Sequence, residues 1–196
     1  MSGTPEADKD KMEAMKKFAI LGWLFLAATA PATMVPRFTL EQIVASSERI
    51  VHGRCLRSWS AWDAGHQFIW THYEIQVAEP LKGALLATVV VSEPGGQADG
   101  LEMAIAGMPR YQAGEEVVAF LYRTPIGYWR AYGLGQGKYT VREGRVRTDL
   151  QGAVLVKTDR AALDQGTDLR RLDGMALAEF KTRVRGLASR QVRGVK

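Results

Sequence analysis

The chain has a single cysteine, Cys55, in 196 residues, so no intramolecular disulfide can hold it and the fold must rest on burial. The thiol has two readings, a small buried hydrophobe on a strand or a reactive group. Histidine is nearly as scarce. His52, His66 and His72 are the only ones, and their spacing matches no metal motif. A Gly-x-Ser-x-Gly elbow is absent, as are internal repeats and low-complexity tracts. Nothing here indicates a resident metal, a cofactor or a serine nucleophile. The apolar run from Phe18 to Ala28 falls short of the ~20 residues needed to cross a hydrocarbon core.

That short run has a different meaning in context. Lys16 and Lys17 precede it, and Ala28-Thr29-Ala30-Pro31-Ala32 follows with small residues at cleavage spacing. A basic start, a short apolar stretch and an Ala-x-Ala end together describe a secretory signal. The expected signal peptide is residues 15–32, cut after Ala32, because a cut after Ala30 would leave Pro31 first. A permanent anchor is the rival reading. Residues 1–14, polar and ahead of Met15, are read as an extension outside the fold. The expected location is therefore periplasmic or extracellular.

Hydrophobic residues make up 46% of the chain and charged residues 24%, enough apolar material for the core of one ordinary domain. Charge is uneven. From Arg170 onward eight cationic residues face only Asp173 and Glu179, an excess of +6 against +5 for the whole chain. The rest is near neutral, so no nucleic-acid partner is indicated. The basic end either makes weak contact with an anionic surface or is a solvated helix face.

Thr39, with Gln42 three residues on, predicts a capped short helix carrying Leu40, Ile43 and Val44 on one face. Period-two alternation then predicts strands. The first runs from Ile50 to Trp59, with Val51, Gly53 and Cys55 on one face. The second runs from Phe68 to Glu79; Ile69, Thr71, Tyr73, Ile75 and Val77 face inward and Phe68, Trp70, His72, Glu74 and Gln76 outward. Residues 60–66 are the expected hairpin loop. A third strand starts at Thr88, Pro94-Gly95-Gly96 is read as a turn, and residues 101–106 as a further strand. Val117 to Tyr122 is apolar on both faces and is expected to be central. Residues 128–134, 138–141 and 145–148 complete the set, with Glu143-Gly144 as a tight turn. The glycines of residues 133–138 open no helix, so a bulged connection is preferred to a phosphate loop. Beyond Thr158 the period changes: Asp173 can cap a helix in which Leu177, Phe180, Val184 and Leu187 share a face, with Lys181, Arg183 and Arg185 outside or flanking.

The expectation is a mainly β domain over residues 38–158, antiparallel and closed as a small barrel or packed as a sandwich. A short N-terminal helix precedes it, and residues 159–196 form a C-terminal amphipathic helix with a basic tail. Trp59, Trp62, Phe68 and Trp70 gather around the first hairpin, with His72 beside Trp70 on the outward face. Aromatics interleaved with polar groups suit a protein, peptide or glycan surface; coverage by one of the helices is the other account.

The order Ser47-Glu48-Arg49-Ile50-Val51-His52-Gly53-Arg54, then Val77-Ala78-Glu79-Pro80-Leu81-Lys82-Gly83, then Gly114-Glu115-Glu116-Val117-Val118-Ala119-Phe120-Leu121 resembles the netrin-like module. That module is the OB-fold barrel of tissue inhibitors of metalloproteases and of secreted bacterial proteins that share its layout. The resemblance covers residues 47–141 and implies an OB-like barrel. Inhibition in that family uses an N-terminal cysteine to chelate the protease zinc, and this chain has none there. The functional expectation is thus a non-enzymatic binding module, engaging a protein or an envelope polymer through a barrel face and the first hairpin. An inhibitor or accessory partner of a secreted protease is the alternative, and a hydrolytic enzyme is the third reading.

Overall fold

The computed structural model describes residues 34–148, 154–156 and 167–193. The expected N-terminal extension (1–14) and signal peptide (15–32) lie outside them. The described residues are mainly strand, with two α-helices. None of their helices is long and apolar enough to cross a membrane.

Strand β1 (Met34–Pro36) leads into α1 (Leu40–Ser46). The expected capping box starts that helix: Gln42 N donates to Thr39 Oγ1 at 3.3 Å, and Thr39 N donates to Gln42 Oε1 at 2.8 Å. Two 14-residue strands follow, β2 (Arg49–Trp62) and β3 (Ile69–Lys82), then β4 (Thr88–Pro94), β5 (Gly96–Ala98) and β6 (Leu101–Met103). The remaining strands are β7 (Glu116–Arg123), β8 (Trp129–Ala131), β9 (Lys138–Arg142), β10 (Arg145–Thr148) and β11 (Val154–Val156). Helix α2 (Leu177–Arg193) ends the described chain.

Seven strands form one sheet in the order β10-β9-β7-β2-β3-β4-β8, and β8 pairs with β7 as well. Its pairing with β4 is parallel, Val91 beside Trp129. β5 and β6 form a separate hairpin, and β1 pairs in parallel with β11.

β7 explains the architecture. Every residue from Val117 to Leu121 is fully buried, because the strand serves two cores. Val118 and Phe120 join Leu40 and Ile43 of α1, Ile50, Tyr139, and Phe180 and Val184 of α2. Val117, Ala119 and Leu121 point the other way and join Val51, Cys55, Tyr73, Ile75, Val89 and Val91. Cys55 is fully buried on the parity shared with Val51 and Gly53. Gly53 is required where it stands: a Cβ there would lie 2.2 Å from the Gln76 carbonyl oxygen, at a bulge in the β2–β3 pairing.

Several expected details change. Strand β2 runs on to Trp62, so the first hairpin loop begins at Asp63 rather than at residue 60. Pro94-Gly95-Gly96 does not fold one strand back on the next: Gly95 and Gly96, both at positive φ, carry the chain from β4 into β5 of another sheet, and Asp99-Gly100, also at positive φ, turn β5 into β6. The 133–138 segment is not a bulge but a buried 3-10 helix (Leu134–Gly137). Gln136 fixes it, accepting from Phe38 N at 3.0 Å and donating to the Pro36 carbonyl at 2.9 Å. Asp173 does not cap α2; its carboxylate accepts from Thr148 N at 3.0 Å. Nor are all the basic residues of α2 merely solvated. Lys181 donates to Glu79 of β3 at 2.7 Å, and Arg185 pairs with the same carboxylate.

Candidate functional site

Two surfaces of the β2–β3 hairpin carry unusual chemistry, one outside and one inside. On the outside, the register sets Trp59 opposite His72 and Ala61 opposite Trp70. Trp59 stacks on His72 with ring centroids 5.3 Å apart. Tyr128 continues the row, 5.6 Å from His72 and 4.9 Å from Trp70. Arg57 lies over the Trp59 ring at 5.1 Å and Arg130 over Trp70 at 5.7 Å, so cations close both ends. His72 Nδ1 lies 2.8 Å from Ser92 Oγ, and burial pushes its pKa down, which keeps the ring neutral near pH 7.

The five residues singled out from the sequence therefore do not form one cluster. Trp59, Trp70 and His72 do share the outer face. Trp70 faces outward as parity required, but it is half-buried rather than exposed, and its aromatic neighbour Tyr128 belongs to neither helix. The β7–β8 turn supplies that partner: Thr124 Oγ1 accepts from Tyr128 N at 2.9 Å and sets the tyrosine over Trp70 and His72. Phe68 stands at the strand entrance, 49% exposed. Trp62 lies outside the row; it pairs with Ile69, on the opposite parity, and stacks on His66. Tyr128 and Arg130 were missed because nothing local in the sequence joins them to the hairpin, whereas Arg57 stands on β2 two residues before Trp59 and its spacing offered the signal.

The inner surface was missed entirely. There a cavity of about 330 Å³ is lined by Ser58 and Ser60 of β2, Thr71 and Tyr73 of β3, and Glu93 of β4, with Met108 and Tyr111 from the segment before β7. Glu93 is buried; its oxygens accept from Ala131 N at 2.6 Å and Arg130 Nε at 3.0 Å. Burial nevertheless pushes its carboxyl up to about 7, the Arg130 charge opposing. A sequence signal existed: Glu93 shares parity with Val89 and Val91, the apolar face of β4. A second pair joins buried Lys138 to partly buried Glu115 at 2.9 Å, and Thr140 donates to the same carboxylate at 2.6 Å.

The histidines stay apart in role. His52 Nε2 meets Glu116 at 2.7 Å, and His66 stacks at the hairpin tip. Among the described residues no group of three His, Cys, Asp or Glu side chains is placed to hold a metal. No protein-family model matches the chain, and a search of curated proteins returns no match.

Proposed function

We propose that this chain is an exported, non-enzymatic binding module on an OB-like barrel, and that the outer face of its first hairpin engages a protein partner or an envelope polymer. The barrel reading is supported by the pairing circuit: from β7 through β2, β3, β4 and β8 the pairs return to β7. Five strands in a partly open antiparallel ring, with one parallel closing pair, suit an OB-type and hence a netrin-like arrangement.

The observation that carries the binding reading is the continuous row Arg57, Trp59, His72, Tyr128, Trp70, Arg130. Its rings are fixed by strand register and a tight turn, so a ligand would meet little ordering cost there. Trp59 is 40% exposed and Phe68, at the turn end of the same hairpin, 49%, which leaves apolar area for contact. A protein partner is favoured over a polymer by the adjoining edge. Residues 57–62 of β2 pair with β3 alone among the described residues, so an extended segment can add to them by main-chain hydrogen bonds.

The test uses the exported form to capture a partner from an envelope extract and compares Trp59→Ala, Phe68→Ala and a truncation after Ser189, at low and moderate salt. Loss of either aromatic is expected to weaken binding by ~2 kcal/mol or more, with the truncated chain binding normally. Binding abolished by the truncation but unchanged by both aromatic variants would reject the hairpin face in favour of the basic tail.

A further inference from the structure

We propose that the inner cavity of the β2–β3–β4 strands is a second binding site, for one neutral, hydroxyl-rich ring such as a monosaccharide or a cyclic polyol. It lies on the opposite side of the hairpin from the aromatic row and does not depend on that row's role.

Size comes first. About 330 Å³ falls at the lower end of small-ligand sites. At ~30 Å³ per water it has room for roughly ten waters, or for one sugar-sized ring.

The lining then selects the chemistry. Hydroxyl-bearing side chains line it from Ser58, Ser60 and Thr71. Ser60 and Thr71 bond each other at 2.9 Å, and Thr71 donates to the Gly95 carbonyl at 2.6 Å, which fixes their lone pairs in place. A hydroxyl has one donor and two acceptor positions, so each keeps capacity for a ligand. Tyr111 closes the floor of the cavity: its ring is packed 4.9 Å from Tyr73 with Lys138 Nζ 5.0 Å over its face, and its hydroxyl is buried away from the open space. The other wall, with Met103 and Met108, offers an apolar surface for the C–H face of a ring.

Charge favours neither sign. Glu93 is already matched by Arg130 and a main-chain amide, so no uncompensated carboxylate awaits a cation. Arg110 lines the cavity as well as Glu93, so an anion meets charges of both signs there. A neutral polyol fits what remains.

The test labels methionine methyl groups with carbon-13, so that Met103 and Met108 report from the cavity wall. The probes are glucose, galactose, N-acetylglucosamine and myo-inositol, with glucuronate as the anionic arm. At least one neutral probe is expected to shift the Met103 or Met108 signals saturably at up to tens of millimolar. Ser60→Ala and Thr71→Val, each removing a hydroxyl at near-constant volume, are expected to weaken it about fivefold, the loss of one hydrogen bond. Trp59→Ala should titrate like the wild type, which separates failure of this site from failure of the outer face. The proposal is overturned if no neutral probe shifts those signals, if glucuronate alone does, or if both hydroxyl variants, folded by their methyl spectra, bind unchanged.

Discussion

Burial pushes the Glu93 carboxyl up to about 7 from an ordinary 4.5, with Arg130 pulling the other way. Between those two values the folded protein holds a proton that the unfolded chain has released. Folding then binds protons, so stability falls as pH rises through this window and levels off above it. At about 1.4 kcal/mol per pH unit the effect is about 3 kcal/mol. Urea unfolding is therefore expected to show a less stable protein at pH 8 than at pH 5, and Glu93→Gln should remove most of the difference. A variant that keeps the full difference would place its origin elsewhere. Glu41 and Asp168 do not blur the window: burial raises both, but hydrogen bonds from Thr167 to Glu41, and from Arg37 and the Arg170 amide to Asp168, outweigh it and hold them low. Their contribution is lost only in stronger acid. Parity alone would have turned Glu93 inward from the sequence, as it did Cys55. The half-burial of Trp70 was not legible, because Tyr128 reaches it from 58 residues away in the chain.

At the scale of elements, α2 is held by its apolar face more than by its charges. Phe180 is fully buried, 4.7 Å from the Tyr139 ring and 6.2 Å from Phe120, all three in one core cluster. Phe180→Ala is expected to cost ~3–5 kcal/mol in denaturant unfolding. Lys181→Ala loses a partly exposed ion pair and is expected to cost under ~1 kcal/mol. A larger loss from Lys181 than from Phe180 would reverse this ranking. The helix could be read from the spacing of Leu177, Phe180, Val184 and Leu187, since amphipathic period is a local property. The 3-10 helix at Leu134–Gly137 could not, because its glycines carry no period and Gln136 takes its partners about a hundred residues away. Strand existence was legible where one face is apolar; strand ends and the Asp99-Gly100 turn were set by pairing that no local pattern records.

For the molecule as a whole, export is expected to leave a chain beginning at Thr33. N-terminal sequencing of protein recovered outside the cytoplasm checks this, and a species there with Met1 or Met15 intact would overturn it. The mainly β class was legible because strand after strand alternates with period two. How β8 comes to pair with both β4 and β7 was not, since such closure belongs to the register of the whole sheet.

The two halves of β2 differ in their neighbours. Residues 49–54 lie between β3 and β7, whereas 57–62, among the described residues, have β3 on one side only. Backbone held on both sides opens only when the sheet opens; backbone held on one side can fray while the rest stays folded. Amide protons at the outer end of the hairpin will thus be released through small local fluctuations, long before those of Val117 to Leu121. Trp59 rides on that yielding half, and its neighbour His72 on the strand beneath. The unpaired side of residues 57–62 is thus the first part of the sheet to yield, while the rings of the row keep the positions that pairing with β3 sets.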